Sequence, residues 1–254
     1  MINSIRNTVF FLLNKDNRGY ISPLEFNSYA KMAQLEVFEE YFGAFARQTQ
    51  LQNLRKRSLG FGDMAEQVAN KISIFATSAT LNYTDVDATN SDPAETNPGG
   101  VEDYFTHPAD YYKLLNLTYN GRVLQEVNKL KFDMLMGSNL TQPSVRFPVF
   151  YREDSNIFVR PLSIFYTGTT PQNTELPLIM NYIRKPLDPV WGYTIISGNP
   201  VYNSASTTNF EVSDEDEVSL IIKICKFAGL AIREADVVSA MTNEEQLDMQ
   251  VTNS

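Results

Sequence analysis

Asn14-Lys15-Asp16-Asn17-Arg18-Gly19-Tyr20-Ile21-Ser22-Pro23-Leu24-Glu25 sets oxygen-bearing side chains, a central glycine and a terminal glutamate at the spacing of an EF-hand calcium loop. In that register the ligands fall on Asn14, Asp16, Arg18, the Tyr20 carbonyl, Ser22 and Glu25, with Gly19 at the sharp turn and Ile21 as the short apolar contact. Arg18 puts a cation where an oxygen belongs, and Asn14 replaces the usual leading aspartate. The side chains left for calcium are Asn14, Asp16, Ser22 and Glu25, of which only Asp16 and Glu25 are carboxylates. A second reading needs no metal. Ser22-Pro23-Leu24-Glu25 is a capping box with proline at the first helical position, which starts a helix by itself. The stretch is therefore read as a structural turn between two helices, and no cofactor is expected.

Outward from that turn, residues 2–13 read as a short amphipathic helix, and a second helix runs from Pro23 towards Arg57. The second helix is apolar on two sides. Phe26, Tyr29, Ala33, Val37, Tyr41 and Ala44 form one stripe, and Met32, Leu35, Phe38, Phe42 and Phe45 form another. Such a helix must bury both sides, in an internal bundle or against another subunit. A further helix is expected from Asp63 to about Ala76.

Residues 82–110 carry seven acids and no Lys or Arg, with turn-formers such as Asn97-Pro98-Gly99-Gly100, and read as a long surface excursion. From Tyr111 the period becomes strand-like. Asn120-Gly121, between two alternating runs, signals a hairpin with a type I′ turn. A helix from about Asn128 to Met136, a hairpin from Arg146 to Arg160 and a strand over Leu178–Arg184 follow. Ser213 is placed as the cap of a helix whose first turn holds Asp214 to Glu217, where the helix dipole favours negative charge, and Gly229 as its end or bend. A last helix is expected from Glu234 to about Met249. The fold class is thus α+β. Residues 1–80 form a helical hairpin or bundle, 81–110 an acidic loop, 111–212 an antiparallel β domain and 213–254 C-terminal helices and a tail.

The chain has 254 residues, 43% of them hydrophobic, enough to bury a core, and no apolar run approaches the roughly 18–20 residues of a membrane span. The opening run Val9-Phe10-Phe11-Leu12-Leu13 stops at Asn14, lacks a small-residue cleavage site and reads as the core face of the first helix. The three Asn-Xaa-Thr matches at Asn82, Asn116 and Asn139 carry little weight without an export signal. Charge is unevenly spread. Residues 1–80 hold nine Lys/Arg and seven Asp/Glu (+2), leaving twelve and twenty-three (−11) for residues 81–254. The only dense basic cluster is Arg55-Lys56-Arg57, which argues against free nucleic-acid binding.

Catalytic patterns are missing from the sequence. The single histidine, His107, precedes Pro108 in the acidic segment, and no nucleophile elbow, P-loop or dinucleotide fingerprint is present. One His and one Cys do not make a zinc site, and Cys225 within an apolar run reads as a buried inert thiol. Thirty acids always leave some pair at hydrolase spacing, but no residue singles one out. Trp191 reads as a core or interface anchor rather than a stacking platform for a sugar or base. The expectation is a protein without enzymatic activity.

Three passages together resemble one family. They are Arg6-Asn7-Thr8 leading into the Asn14 to Glu25 turn; Tyr182-Ile183-Arg184-Lys185-Pro186 with Pro189 and Trp191; and Asn209-Phe210-Glu211-Val212 followed by Ile221-Ile222-Lys223-Ile224 and Phe227-Ala228-Gly229. The pattern resembles virion proteins of crAss-like and related tailed bacteriophages of Bacteroidetes that form rings in the neck and tail below the portal. The resemblance implies a homo-oligomeric ring acting as a head-to-tail connector, with portal or adjacent neck and tail rings as partners, located in the virion and in the host cytoplasm during assembly. DNA would pass through without specific binding, and Asp85, Asp87, Asp92 and Glu95 are the candidate channel residues, since like charge keeps phosphates off a wall. The alternative from the residues alone is a soluble calcium-responsive or peptide-binding module using the helix pair at residues 2–50.

Overall fold

The two helices read before and after residues 15–20 are present, and the second organises one half of the molecule. The computed structural model describes residues 1–14, 21–55, 64–84, 104–161, 166–167, 170–171, 178–232, 242–243 and 246. The chain folds as two compact units, one from Met1–Ile74 with Pro186–Ser254 and one from Phe75–Lys185. This division departs from the sequence expectation at both borders. Residues 186–212, expected in the β domain, belong to the helical unit, and strand begins at Ala76, where helix was expected.

In the helical unit, α1 (Ile2–Asn14) buries Ile2, Ile5, Val9 and Leu13 at three- and four-residue spacing. Of the opening apolar run only Val9 and Leu13 are buried, while Phe11 and Leu12 are exposed. The long α2 (Pro23–Arg55) buries Phe26, Ala30, Ala33, Val37 and Tyr41, and packs against α3 (Met64–Ser73) and α5 (Glu217–Ile232). The helix α5 answers with Leu220, Ile224, Cys225 and Ala228. It continues through Gly229 to Ile232, so that glycine neither ends nor caps it.

Charge also ties these helices. Lys223 of α5 has a side chain only 2% exposed, with its ammonium 2.7 Å from Glu40 and 3.4 Å from Glu36, one turn apart on α2. Removing one partner from such a pair would strand a buried charge. The acidic run before α5 does more than face a helix dipole. Asp214–Asp216 is a 3-10 turn whose Ser213 makes no side-chain cap. Asp216 accepts hydrogen bonds from the Tyr41 hydroxyl and from Lys71 of α3, at 3.0 Å for the latter. Burial first, and then Asp216, push the Tyr41 phenol far above its ordinary pKa.

The second unit is a β structure that closes on itself. Its strands are β1 (Ala76–Thr80), β2 (Asn82–Thr84), β3 (Tyr104–Thr106), β4 (Tyr111–Tyr119), β5 (Arg122–Val123), β6 (Gln125–Glu126), β7 (Val149–Glu153), β8 (Asn156–Arg160) and β11 (Leu178–Arg184). The two-residue strands β9 (Tyr166–Thr167) and β10 (Thr170–Pro171) form a separate pair. The larger sheets have the orders β1-β11-β4-β5 and β2-β3-β8-β7-β6. Leu81 alone separates β1 from β2, and Leu124 alone separates β5 from β6. Each sheet therefore passes a strand to the other at both of its margins, and the two join at these corners as a barrel. The Leu81 amide donates to the Leu178 carbonyl and the Leu124 amide to the Leu117 carbonyl, both at 2.9 Å, so the ladder is unbroken up to the corners.

Asn120 and Gly121, with φ of 46° and 71°, make the expected type I′ turn. The strand after it is paired with β4 only over Arg122–Val123, because Leu124 turns Gln125–Glu126 onto β7. That last pairing is parallel, so the β domain is mixed rather than wholly antiparallel. Leu81, Phe105, Leu117, Leu124, Phe150, Ile157, Val159, Leu178 and Met180 fill the interior. Outside the barrel, α4 (Lys129–Met136), capped by Asn128, lays Phe132 against Val149, Tyr151 and Phe158.

The corner residue Leu124 is buried while its neighbour Val123 is exposed. Leu124→Ala is expected to lower unfolding free energy by about 2–5 kcal/mol and Val123→Ala by less than about 0.5, measured by urea denaturation. In the same unit, burial and then its hydrogen bond to Asp110 push the Tyr182 phenol up to about 12. A raised tyrosine pKa favours folding fully below the ordinary value of 10.0, and that contribution is lost as pH rises towards 12. Tyr182→Phe is expected to flatten part of the alkaline loss of stability in that window, followed by thermal melts against pH.

Candidate assembly surface

The turn that resembles a calcium loop is occupied at its second end by hydrogen bonds within the chain. One Glu25 carboxylate oxygen accepts from the Ser22 amide at 2.8 Å and from the Ser22 hydroxyl at 2.7 Å, while the Glu25 amide donates back to Ser22 Oγ at 3.3 Å. This is the reciprocal capping box, and the Ser22 bonds hold the Glu25 carboxyl below its ordinary pKa. Asn14 is the last residue of α1, and Asp16 and Arg18 lie outside the described residues. Among the described residues no three His, Cys, Asp or Glu side chains gather closely enough to hold a metal. The candidate channel residues Asp85, Asp87, Asp92 and Glu95 also lie outside the described residues.

The other singled-out side chains are held structurally. The His107 ring packs on Tyr111 with centroids 4.6 Å apart, its Nδ1 2.9 Å from the Pro108 carbonyl oxygen. Cys225 is buried, which pushes its thiol up to about 11 and leaves it protonated at neutral pH.

Trp191 is the anchor the sequence suggested, and its surroundings explain why. The Arg6 guanidinium lies 3.7 Å from the indole centroid and 4.2 Å from the Phe10 ring. The indole N–H donates to Asn3 Oδ1 at 3.0 Å, and the Trp191 amide donates to Asn27 Oδ1 at 2.8 Å. Seven residues along α2 from Asn27, the buried Gln34 donates to the Leu187 carbonyl at 2.7 Å and accepts from the Glu211 amide at 3.0 Å. Between them, Lys31 pairs with Asp188 at 2.6 Å. One face of α2 thus grips the extended backbone of residues 187–191 and 211. Sequence reading missed this face. Its signal was a glutamine one residue after Ala33 of the apolar stripe, where a polar side chain must find a partner.

From this anchor rises a two-stranded ribbon, β12 (Tyr193–Ile196) and β13 (Asn199–Tyr202), joined by Ser197-Gly198 with φ of 52° and 83°. Tyr193 and Tyr202 pack on the Trp191 ring with centroids at 5.7 and 5.9 Å. Gly192 at its foot is constrained by space, since a Cβ there would come within 2.5 Å of the Ser206 carbonyl carbon. Beyond the tyrosines the ribbon is bare. Ile195 is 72% exposed and Ile196 57%, and the pair joins no larger sheet.

A second apolar surface runs along α2. Of the second stripe Phe38 is buried and packs edge-on against Phe42, but Met32, Leu35 and Phe45 are exposed. No protein-family model matches the chain, and no curated protein matches it. No helix among the described residues is long and apolar enough to cross a membrane.

Ser22→Ala is expected to lower the unfolding free energy by about 1 kcal/mol through loss of the cap, with no change in melting temperature on adding calcium to either protein. A calcium-dependent rise in melting temperature that Glu25→Gln abolishes would contradict the structural reading of the turn.

Proposed function

We propose that this chain is a non-enzymatic virion protein that assembles with copies of itself into a ring in the neck or tail of a tailed bacteriophage. The observation that carries the assembly is the exposure of Met32, Leu35 and Phe45, large apolar side chains of α2 that stand 37–49% open to solvent. Large apolar side chains left exposed along one helix suit a contact with a different surface of the next copy, and head-to-tail contacts of that kind close into rings. The placement in a phage neck or tail rests on the resemblance of the three sequence passages. The balance of −11 over residues 81–254 suits a lumen that lets DNA slide, because like charge denies phosphates a foothold.

The purified chain is expected to scatter light as a closed oligomer of defined mass, unchanged by calcium or by chelator, and to appear as rings in negative stain. Met32→Lys combined with Phe45→Glu should leave the fold intact, since both side chains are exposed, and should break the rings. A double variant that assembles as the wild type does would overturn the role of α2.

A further inference from the structure

The β12–β13 ribbon has two edges, and they are chemically different. The Asn203 amide donates to the Gly192 carbonyl at 2.9 Å, so positions 192 and 203 turn their hydrogen-bonding groups towards each other. With the register Thr194 to Val201 and Ile196 to Asn199, antiparallel alternation makes those two pairs hydrogen-bonded as well. The intervening pairs, Tyr193 with Tyr202 and Ile195 with Pro200, turn their backbone groups outwards. On the β13 side the outward position at 200 is a proline, which has no N–H to offer, and this blocks that edge. On the β12 side Tyr193 and Ile195 both present an outward N–H and C=O, and neither has a backbone partner among the described residues.

A bare edge is ordinarily guarded by lysine or other charge. Residues 189–210 contain no Asp, Glu, Lys, Arg or His, in a chain that is 20% charged. Two copies with a net charge of −9 each can therefore approach along this ribbon without local repulsion. A second copy of β12 offers an edge of the same length, with the same outward groups and the same lack of charge.

We propose that β12 is a self-pairing edge, joined antiparallel to β12 of a second copy about a two-fold axis to give a four-stranded sheet with the two β13 strands outermost. The register that uses all the outward groups of both strands sets Tyr193 of each copy opposite Ile195 of the other, in two hydrogen-bonded pairs. It places Thr194 opposite its own counterpart in a non-hydrogen-bonded pair, where Cβ atoms come closest. The side chains agree with this register, because it forms two aromatic–β-branched pairs on one face and a threonine pair on the other. The contact is isologous, whereas the α2 stripe suits a heterologous one, so β12 pairing joins two rings or two free copies and does not close a ring.

The test uses the full chain. Ile195→Pro removes one outward N–H and leaves the bonds between β12 and β13 in place, copying the device at Pro200. It is expected to halve the assembly mass measured by sedimentation and light scattering, from double ring to single ring or from dimer to monomer. Thr194→Cys is expected to form a disulfide-linked dimer under mild oxidation, and Ile196→Cys, on the same face but off the axis, is expected not to. A wild-type mass of one chain at tens of micromolar, a mass unchanged by Ile195→Pro, or equal cross-linking of both cysteine variants would overturn the proposal. If the α2 variant breaks rings while Ile195→Pro leaves the mass unchanged, the β12 edge fails and the ring reading stands; the reverse pattern sinks the ring reading alone.

Discussion

The packing of Trp191 against Arg6, Asn3 and Asn27 is the interaction on which the β12–β13 ribbon depends. A hairpin of two four-residue strands is marginal alone in water. Here its foot is fixed on three sides: the indole stacks under Tyr193 and Tyr202, Arg6 closes the other contact, and Asn27 holds the Trp191 backbone to α2. The same helix carries Gln34 and Lys31, which hold the approach to the hairpin at Leu187 and Asp188. Local rigidity at 187–192 is what lets an exposed ribbon keep one geometry.

The molecule treats its strand edges in two opposite ways. In the β unit, one-residue corners at Leu81 and Leu124 hand strands from sheet to sheet, with apolar side chains filling the interior. In the helical unit, a ribbon stands outside any sheet, with proline on one edge and no charge along either strand. An uncharged edge beside a blocked one would direct strand pairing, under the β12 proposal, to a single side of the ribbon.

Local signals were legible in the sequence where one residue type decides a conformation. The capping box at Ser22 and Glu25 and the Asn120-Gly121 turn both form as their chemistry requires. The α+β class followed from the switch of period near Tyr111. Long-range decisions were not legible. Nothing local at Leu124 announces that the strand leaves one sheet for the other, because a leucine in an alternating run reads as ordinary core. Residues 186–212 were grouped with the β domain with no strand identified among them, whereas Gln34 and Asn27 bind them to the helical unit through side-chain amides 153 and 164 residues away. The two-sided helix was legible as a pattern, but which side stays uncovered depended on the placement of α3 and α5.

Amide hydrogen exchange at Tyr193 and Ile195, resolved residue by residue and followed against protein concentration, reaches the central claim most directly. An outward N–H exchanges freely in the dispersed chain and becomes protected when a second strand lies along β12, whereas the inward amides of Thr194 and Ile196 are protected throughout. If β12 pairs with its own copy, protection at Tyr193 and Ile195 appears together and only on assembly. Fast exchange at both positions in the assembled protein, or equal protection of all four amides at every concentration, would contradict it.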